Sequence, residues 1–213
     1  MAHIVLLGDS TLDNAAYVPD GQDVASHLRS ISQDSKISLL AIDGSVIGDI
    51  AAQLERLPAD VSHLVVSVGG NDAILASGVL DESTTSLAAA LDRLADVREA
   101  FLAAYRTMLD EVLARGIATT VCTIYEGADP DPTFRRIAST ALAMLNDCIT
   151  REAAARALPL IDLRVIFDSD EDYANPIEPS ASGGRKFAAA IASLVSGHDF
   201  GGRPGIFAYR VSG

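Results

Sequence analysis

Short apolar runs alternate with longer amphipathic stretches along the chain. The apolar runs are rich in branched aliphatic residues, which predicts buried strands at 4–7, 35–42, 63–68, 117–124 and 158–161. Apolar positions three or four residues apart predict helices over 24–31, 49–57, 86–114, 132–157 and 182–195. Because this alternation favours parallel strands joined by right-handed crossovers, the expected class is α/β. We predict a three-layer α/β/α sandwich with a central five-stranded parallel sheet.

The length of the chain predicts one domain. At roughly 150 residues per domain, 213 residues form a single unit with a full core. We place this domain at residues 1–196. Residues 197–213 contain several glycines and no helical pattern, so we expect a C-terminal arm that packs on the domain or on a neighbouring subunit.

The charge balance narrows the classes of partner. Lys and Arg number 16 and Asp and Glu 29, which gives a formal net charge of −13. Nucleic acids and anionic lipid surfaces would repel such a chain, so neither is expected as a partner. The sequence has no apolar run of about 18 residues and no apparent signal peptide, and we expect a cytoplasmic protein. Cys122 and Cys148 are expected to be small buried residues, and we predict no metal and no cofactor.

Residues that follow the strands are the first candidates for chemistry, because ligands bind open α/β sheets at the carboxyl ends of the strands. Ser10 follows the first strand through a Gly-Asp turn, and Asn71 follows the third strand after two glycines. Gly44 and Gly48 follow the second strand and allow close backbone approach to a ligand. A serine nucleophile with amide donors for an oxyanion would explain this set. Helix caps and turns would explain each residue taken alone.

Three sequence blocks together resemble the SGNH/GDSL hydrolase superfamily of esterases and lipases. LLGDST at 6–11 is similar to the first block of that family, with Thr11 where leucine is usual, and VGGND at 68–72 is similar to the block that contains its asparagine. The resemblance covers residues 1 to about 195 and implies a flavodoxin-like sheet and ester hydrolysis. It implies Ser10 as the nucleophile. The oxyanion donors would be the Ser10 N–H, the Gly48 N–H and the Asn71 side chain, with Gly44 as the second choice for the glycine.

The last block of that family, Asp-x-x-His, is changed in this chain. Asn175 occupies the Asp position and Glu178 the His position. His3 and His63 begin strands, so they are expected at the opposite edge of the sheet from Ser10. Glu178 is therefore the leading candidate for the general base, because burial would raise the pKa of its carboxyl and make it a better proton acceptor.

Two alternatives for this loop stay open. Glu178 braces the last loop without activating Ser10, or a partner subunit in a homo-oligomer supplies His198, Arg203 or Arg210 to the site.

The predicted function is hydrolysis of a small carboxylic ester, with Ser10 and Glu178 as catalytic residues and Gly48 and Asn71 as oxyanion donors. The partner is therefore a small-molecule ester. Two other functions are kept: a catalytically weak protein that binds a ligand in the same crevice, and acyl transfer to an acceptor other than water.

Overall fold

The computed structural model describes residues 2–202 and 204–208. In these residues six parallel strands form one sheet in the order β2-β1-β3-β4-β5-β6. The strands are β1 (His3–Gly8), β2 (Lys36–Leu39), β3 (His63–Ser67), β4 (Ala118–Cys122), β5 (Leu160–Ile161) and β6 (Ile206–Phe207). The helices are α1 (Val24–Ile31), α2 (Ile50–Leu54), α3 (Gly70–Ala76), α4 (Leu87–Leu113), α5 (Pro132–Ala155), α6 (Leu163–Ile166) and α7 (Ala181–Gly197).

Helices cover the two faces of the sheet, as the apolar strands predict. Successive side chains of β1 point to opposite faces, so Val5 and Leu7 enter one core and Ile4 and Leu6 enter the other. The first core is shared with α2, α4 and α5, and the second with α1, α6 and α7. The predicted three-layer α/β/α class is confirmed.

The sheet has six strands where the sequence predicts five. Ile206 and Phe207, in the predicted C-terminal arm, lie parallel to Leu160 and Ile161. A two-residue strand that follows a glycine-rich stretch with a proline shows no periodicity, so no pattern in the sequence indicates it. The short helices α3 and α6 are likewise absent from the prediction, because each is near or below two turns in length.

The strand order fixes where a ligand site can form. From β1 the chain runs first outward to β2 and then, through a second crossover, to β3 on the other side of β1. The order of the strands reverses at this point, and a crevice opens beyond the carboxyl ends of β1 and β3. The residues that follow β1 and β3 face this crevice.

Candidate active site

Two buried side chains, far apart in sequence, meet at the carboxyl edge of the sheet. Ser10 lies just after β1, and Glu178 lies in the loop before α7. The Ser10 hydroxyl donates a hydrogen bond of 3.0 Å to Glu178 Oε1. The two residues are 7% and 5% exposed, respectively. The predicted nucleophile and the predicted base are therefore in direct contact.

The turn that presents Ser10 is held by the residues around it. Gly8 has φ +142°, and a Cβ on it would lie 1.8 Å from the carbonyl oxygen of Ser67, so only glycine fits at the end of β1. The buried side chain of Gln53 accepts the Gly8 N–H at 2.8 Å and donates to the Gly8 carbonyl, also at 2.8 Å. These bonds leave the backbone before Ser10 little freedom to move.

The loop that carries Glu178 is held through its backbone. Asn175 Oδ1 accepts the N–H groups of Ile177 at 3.0 Å and of Glu178 at 2.9 Å. The Tyr125 hydroxyl donates to the carbonyl of Ile177, and the Ala174 N–H donates to the carbonyl of Glu178 at 2.8 Å. Asn175, at the position where the resemblance expects an aspartate, thus fixes the backbone of residue 178.

Burial changes the proton affinity of the carboxyl groups at the site. Burial raises the pKa of Glu178 from 4.5 to about 6, the hydrogen bond from Ser10 lowers it, and the charges of Asp43 and Asp9 raise it. Burial also raises the pKa of Asp9 to about 6, against the lowering effect of the hydrogen bonds from Thr11. Glu178 Oε2 is buried and has no hydrogen-bond partner among the described residues. Burial thus brings the pKa of the Glu178 carboxyl closer to neutral pH than that of a solvated glutamate.

Asn71 and Gly48 lie on two segments that are tied together. The Asn71 amide donates to the carbonyl of Ser45 at 2.9 Å, and Asp72 Oδ2 accepts the Ile47 N–H at 3.0 Å. Gly48 lies in the 3₁₀ turn Ile47–Asp49, whose first N–H groups have no partner within the turn. Since an amide nitrogen carries two hydrogens, Asn71 keeps a second donor beside its bond to Ser45.

A cavity of about 370 Å³ joins several of these groups. Ser10, Asn71 and Glu178 line it, whereas Gly48 does not contribute to its wall in the described part of the chain. The second-choice glycine, Gly44, has φ +81° in the turn that follows β2. The structure therefore brings Ser10, Glu178 and Asn71 to one cavity, whereas Gly48 follows Ile47, whose N–H donates to Asp72.

The remaining candidates for a base lie elsewhere. His3 begins β1 and is hydrogen-bonded to Asp60 and Ser38, each at 2.8 Å, at the edge of the sheet opposite Ser10. His198 follows α7 and packs against the ring of Phe200. Arg203 and Arg210, proposed as groups from a partner subunit, lie outside the described residues.

Three residues that support the site were not singled out from the sequence. Gln53 holds Gly8, Asp72 holds the 3₁₀ turn of Gly48, and Tyr125 holds the loop of Glu178. A polar residue on the apolar face of a short helix was the available signal for Gln53. Asp72 belongs to the VGGND block, but the sequence alone indicates no role for it. Tyr125 directly follows the apolar run 117–124, a position that is typical of a core residue at the end of a strand.

Among the described residues, no helix is both long and apolar enough to span a membrane. Within residues 2–202 and 204–208, no group of three or more His, Cys, Asp or Glu side chains is arranged to hold a metal ion.

The fold and the site define a class: three-layer α/β/α proteins with a buried serine at the carboxyl edge of a parallel sheet. The profile of the GDSL-like lipase/acylhydrolase family matches residues 6–186. The chain belongs to the GDSL-like lipase/acylhydrolase family. A comparison with curated proteins found no match.

Solved structures of lipases are similar in fold to this chain. A lipase from a goat rumen metagenome has a TM-score of 0.70 at 15% identity, over 91% of this chain and 97% of that one. The extracellular lipase of Streptomyces rimosus has a TM-score of 0.66 at 17% identity, over 91% and 99%. The lipase/acylhydrolase of Enterococcus faecalis has a TM-score of 0.63 at 21% identity, over 92% and 96%. At these identities the likeness concerns the fold.

Proposed function

We propose that this protein hydrolyses small carboxylic esters with Ser10 as nucleophile and Glu178 as general base. One observation carries the proposal: the buried hydrogen bond of 3.0 Å from the Ser10 hydroxyl to the Glu178 carboxylate, inside a cavity. A nucleophile and base within hydrogen-bond reach are the first requirement of serine catalysis. Membership in a lipase/acylhydrolase family supports the same reaction class.

The chemistry proceeds in two halves. Ser10 Oγ attacks the carbonyl carbon of the ester while its proton passes to Glu178 Oε1, and the carbonyl oxygen becomes an oxyanion. The Asn71 amide and the backbone N–H groups of Gly48 and Ser10 stabilise that charge. The carbon–oxygen bond then breaks, and the alcohol leaves with the proton held by Glu178. In the second half, water gives a proton to Glu178 and attacks the acyl-Ser10 ester. The bond between the acyl carbon and Ser10 Oγ then breaks, Glu178 returns the proton to Ser10 Oγ, and the carboxylic acid leaves.

The direct test is the hydrolysis of 4-nitrophenyl acetate by Ser10→Ala. We expect kcat/KM to fall by about 10³-fold or more, because the covalent route is lost. The matched control is Ser77→Ala, since Ser77 also lines the cavity but lies at an exposed position away from Glu178. Equal rates for the parent and Ser10→Ala would overturn the proposal.

A second candidate function is ligand binding with little catalysis. The observation in its favour is Glu178 itself, because a carboxylate is a weaker base than the imidazole that the family pattern places there. The double change Glu178→His with Asn175→Asp tests it. If the parent is inert and this variant hydrolyses the ester, binding without catalysis is the better account.

Acyl transfer is distinguished from hydrolysis by adding an alcohol to the assay. If the released nitrophenol increases with the alcohol concentration and a new ester forms, water is not the preferred acceptor.

A further inference from the structure

A second serine, outside the cavity, lies in a hydrogen-bonded chain with a histidine and an aspartate. His3 Nε2 and the Ser38 hydroxyl oxygen are 2.8 Å apart, and His3 Nδ1 and Asp60 Oδ1 are also 2.8 Å apart. None of these three residues lines the cavity of Ser10. His3 begins β1, the strand that Ser10 follows, so the length of a six-residue strand separates the two places. The chain of three groups is therefore distinct from the Ser10–Glu178 pair.

The register of the sheet brings the histidine and the serine to one face. His3 is paired with Lys36 of β2, and Val5 is paired with Ser38. Because side chains alternate between the two faces of a strand, these four side chains point to the same face. Val5 belongs to the core that α2 shares, so this is the face that α2 covers. Asp60 lies in the loop between α2 and β3 and reaches the histidine from that side.

The order of the three groups fixes the direction of their hydrogen bonds. Hydrogen bonds from Lys36 and His3 lower the pKa of Asp60, so its carboxylate is ionised at neutral pH and can only accept. The neutral His3 ring therefore carries its hydrogen on Nδ1, and the lone pair of Nε2 faces the Ser38 hydroxyl. Ser38 thus donates to a nitrogen that can take its proton. A nucleophile, a base and a third group that orients the base are the three parts of an activated serine.

The base is enclosed, whereas the groups on either side of it reach solvent. The side chain of His3 is 4% exposed and that of Asp60 is 62% exposed, and Ser38 is partly exposed. Lys36 Nζ lies 3.1 Å from Asp60 Oδ2 and 3.4 Å from Oδ1, so Oδ1 remains the closer partner of the histidine. A buried ring that is held at both nitrogens keeps one orientation. A partly exposed hydroxyl next to it is open to a small reagent.

The outer edge of β2 supplies a backbone donor next to Ser38. The N–H groups of Lys36 and Leu40 donate to carbonyls on the β1 side, each at 2.9 Å. Since N–H groups along a strand point alternately to its two sides, the N–H of Leu39 points away from β1. β2 is the terminal strand of the described sheet, so this N–H has no partner within it. In α/β-hydrolases the N–H after the nucleophile is an oxyanion donor, and the Leu39 N–H is available for that role here.

We propose that Ser38, His3 and Asp60 form a second nucleophilic centre, which takes the acyl or phosphoryl group of small activated esters. Ser38 Oγ attacks the carbonyl carbon or the phosphorus while its proton passes to His3 Nε2. The bond from that atom to the leaving group breaks, the leaving group departs with the electron pair, and His3 releases the proton to water. Asp60 holds the Nδ1 hydrogen throughout and is a positioning residue. This centre does not depend on the proposed function of Ser10.

The test is labelling with diisopropyl fluorophosphate, from which a serine displaces fluoride to form a stable phosphoryl ester. The Ser10→Ala variant is used, so that Ser10 does not consume the reagent, and peptide mass spectrometry gives a rate constant for each serine. We expect the adduct at Ser38 to form about tenfold or more faster than the adduct at Ser35, because a general base assists only the first. Ser35 is the matched internal control, since it lies just before β2, is also partly exposed, and is not hydrogen-bonded to a histidine.

Three further variants in the Ser10→Ala background separate activation of the serine from stability of the fold. His3→Gln should slow the labelling of Ser38 by about 10²-fold or more, because the base is lost. Asp60→Asn should slow it by about tenfold or more, because an amide can donate to Nδ1 and so favours the wrong tautomer of His3. Asp34→Asn, at an exposed acid beside β2, should change the rate by less than about twofold, since its charge is screened by solvent. If His3→Gln does not fold, Asp60→Asn at the surface tests the same chain.

The contrary outcomes are specific to this centre. The absence of an adduct at Ser38, an adduct that forms no faster than the one at Ser35, or equal effects of Asp60→Asn and Asp34→Asn would each overturn it and leave the chain with a structural role only. In the parent protein, labelling of Ser10 is measured on a different peptide. The proposed function is therefore supported or contradicted separately from the second centre.

Discussion

At the scale of single residues, the proposed chemistry depends on the environment of Glu178. A carboxyl group in water has a pKa near 4.3 and is a poor acceptor of a serine proton. Burial raises the pKa of Glu178 to about 6, and the nearby charges of Asp9 and Asp43 act in the same direction. The site thus holds a stronger base than a solvated carboxylate, at the cost of a carboxyl group that is partly protonated in mild acid.

The pH dependence of the reaction follows from this pKa. Glu178 must be ionised to accept the proton of Ser10, so kcat/KM should rise with pH and level off above an apparent pKa near 6. Glu178→Gln should lower kcat/KM by about 10²-fold or more and remove this dependence. The measurement is kcat/KM from pH 5 to 9 with a neutral ester.

Asp9 provides the control for this pH profile, because the pKa of its carboxyl is also raised to about 6 by burial. Two neighbouring carboxyl groups titrate as a coupled pair, so Asp9→Asn should shift the apparent pKa downward but keep the rising limb. If the rise of kcat/KM with pH disappears in Asp9→Asn and persists in Glu178→Gln, Asp9 and not Glu178 is the base.

At the scale of elements, short segments hold the ends of the strands in place. Gln53 of α2 pairs with both backbone groups of Gly8, at the end of β1 and beneath Ser10. Gly127, with φ +75°, lets the loop after β4 approach the loop before α7, and the Ala128 N–H donates to the carbonyl of Pro176 at 2.8 Å. These contacts connect α2, β1 and the two loops into a frame for the Ser10–Glu178 pair.

Loss of the Gln53 side chain tests this frame. Gln53→Leu removes the side-chain acceptor of the buried Gly8 N–H, while the Gly8 carbonyl keeps the bond from the Ile42 N–H at 3.1 Å. We therefore expect the free energy of unfolding to fall by ~1–3 kcal/mol. The esterase rate should also fall, because the backbone before Ser10 is no longer held. Urea unfolding measures the first effect. Gln33→Leu, at an exposed position, should change the free energy of unfolding by less than about 0.5 kcal/mol, and an equal loss in both variants would contradict this role of Gln53.

At the scale of the whole molecule, the segment after α7 completes the sheet. The Leu160 N–H donates to the carbonyl of Gly205 and the Asp162 N–H to that of Phe207, both at 2.9 Å. These bonds pair the outer edge of β5, which would otherwise be open to another chain. Phe207 also packs on the core that α7 covers, whereas Ile206 is 64% exposed.

Three expectations from the sequence stay predictions at this scale. They are the cytoplasmic location, the boundary between domain and arm, and a homo-oligomer.

The two residues of β6 provide a matched pair for testing this role. Phe207→Ala removes a partly buried ring, so we expect a loss of ~1–2 kcal/mol in the free energy of unfolding, less than for a fully buried phenylalanine. Ile206→Ala should cost less than about 0.5 kcal/mol, because its side chain faces solvent. Thermal and urea unfolding compare the two. Equal effects would mean that the strand contributes through its backbone alone.

Much of the architecture was predictable because its causes are local. Continuous apolar runs predict β1, β3 and β4, which are buried on both faces, and apolar positions three or four residues apart predict α4, α5 and α7, which bury one face. The glycines after β1 and β3, together with the polar residues beside them, predict the edge at which the site lies. Very short elements such as β6 and α6 escaped prediction, because two to four residues hold no period.

The sequence by itself determines the alternation of strands and helices, the acidic charge and the identities of Ser10, Asn71 and Glu178. The packed fold decided that the Ser10 hydroxyl and the Glu178 carboxylate, 168 residues apart, lie 3.0 Å from each other. It also decided that burial raises the pKa of Glu178 and that apolar side chains of α3, α4 and α5 line the same cavity as Ser10. These properties depend on distances between segments remote in sequence, and such distances arise only when the whole core is assembled.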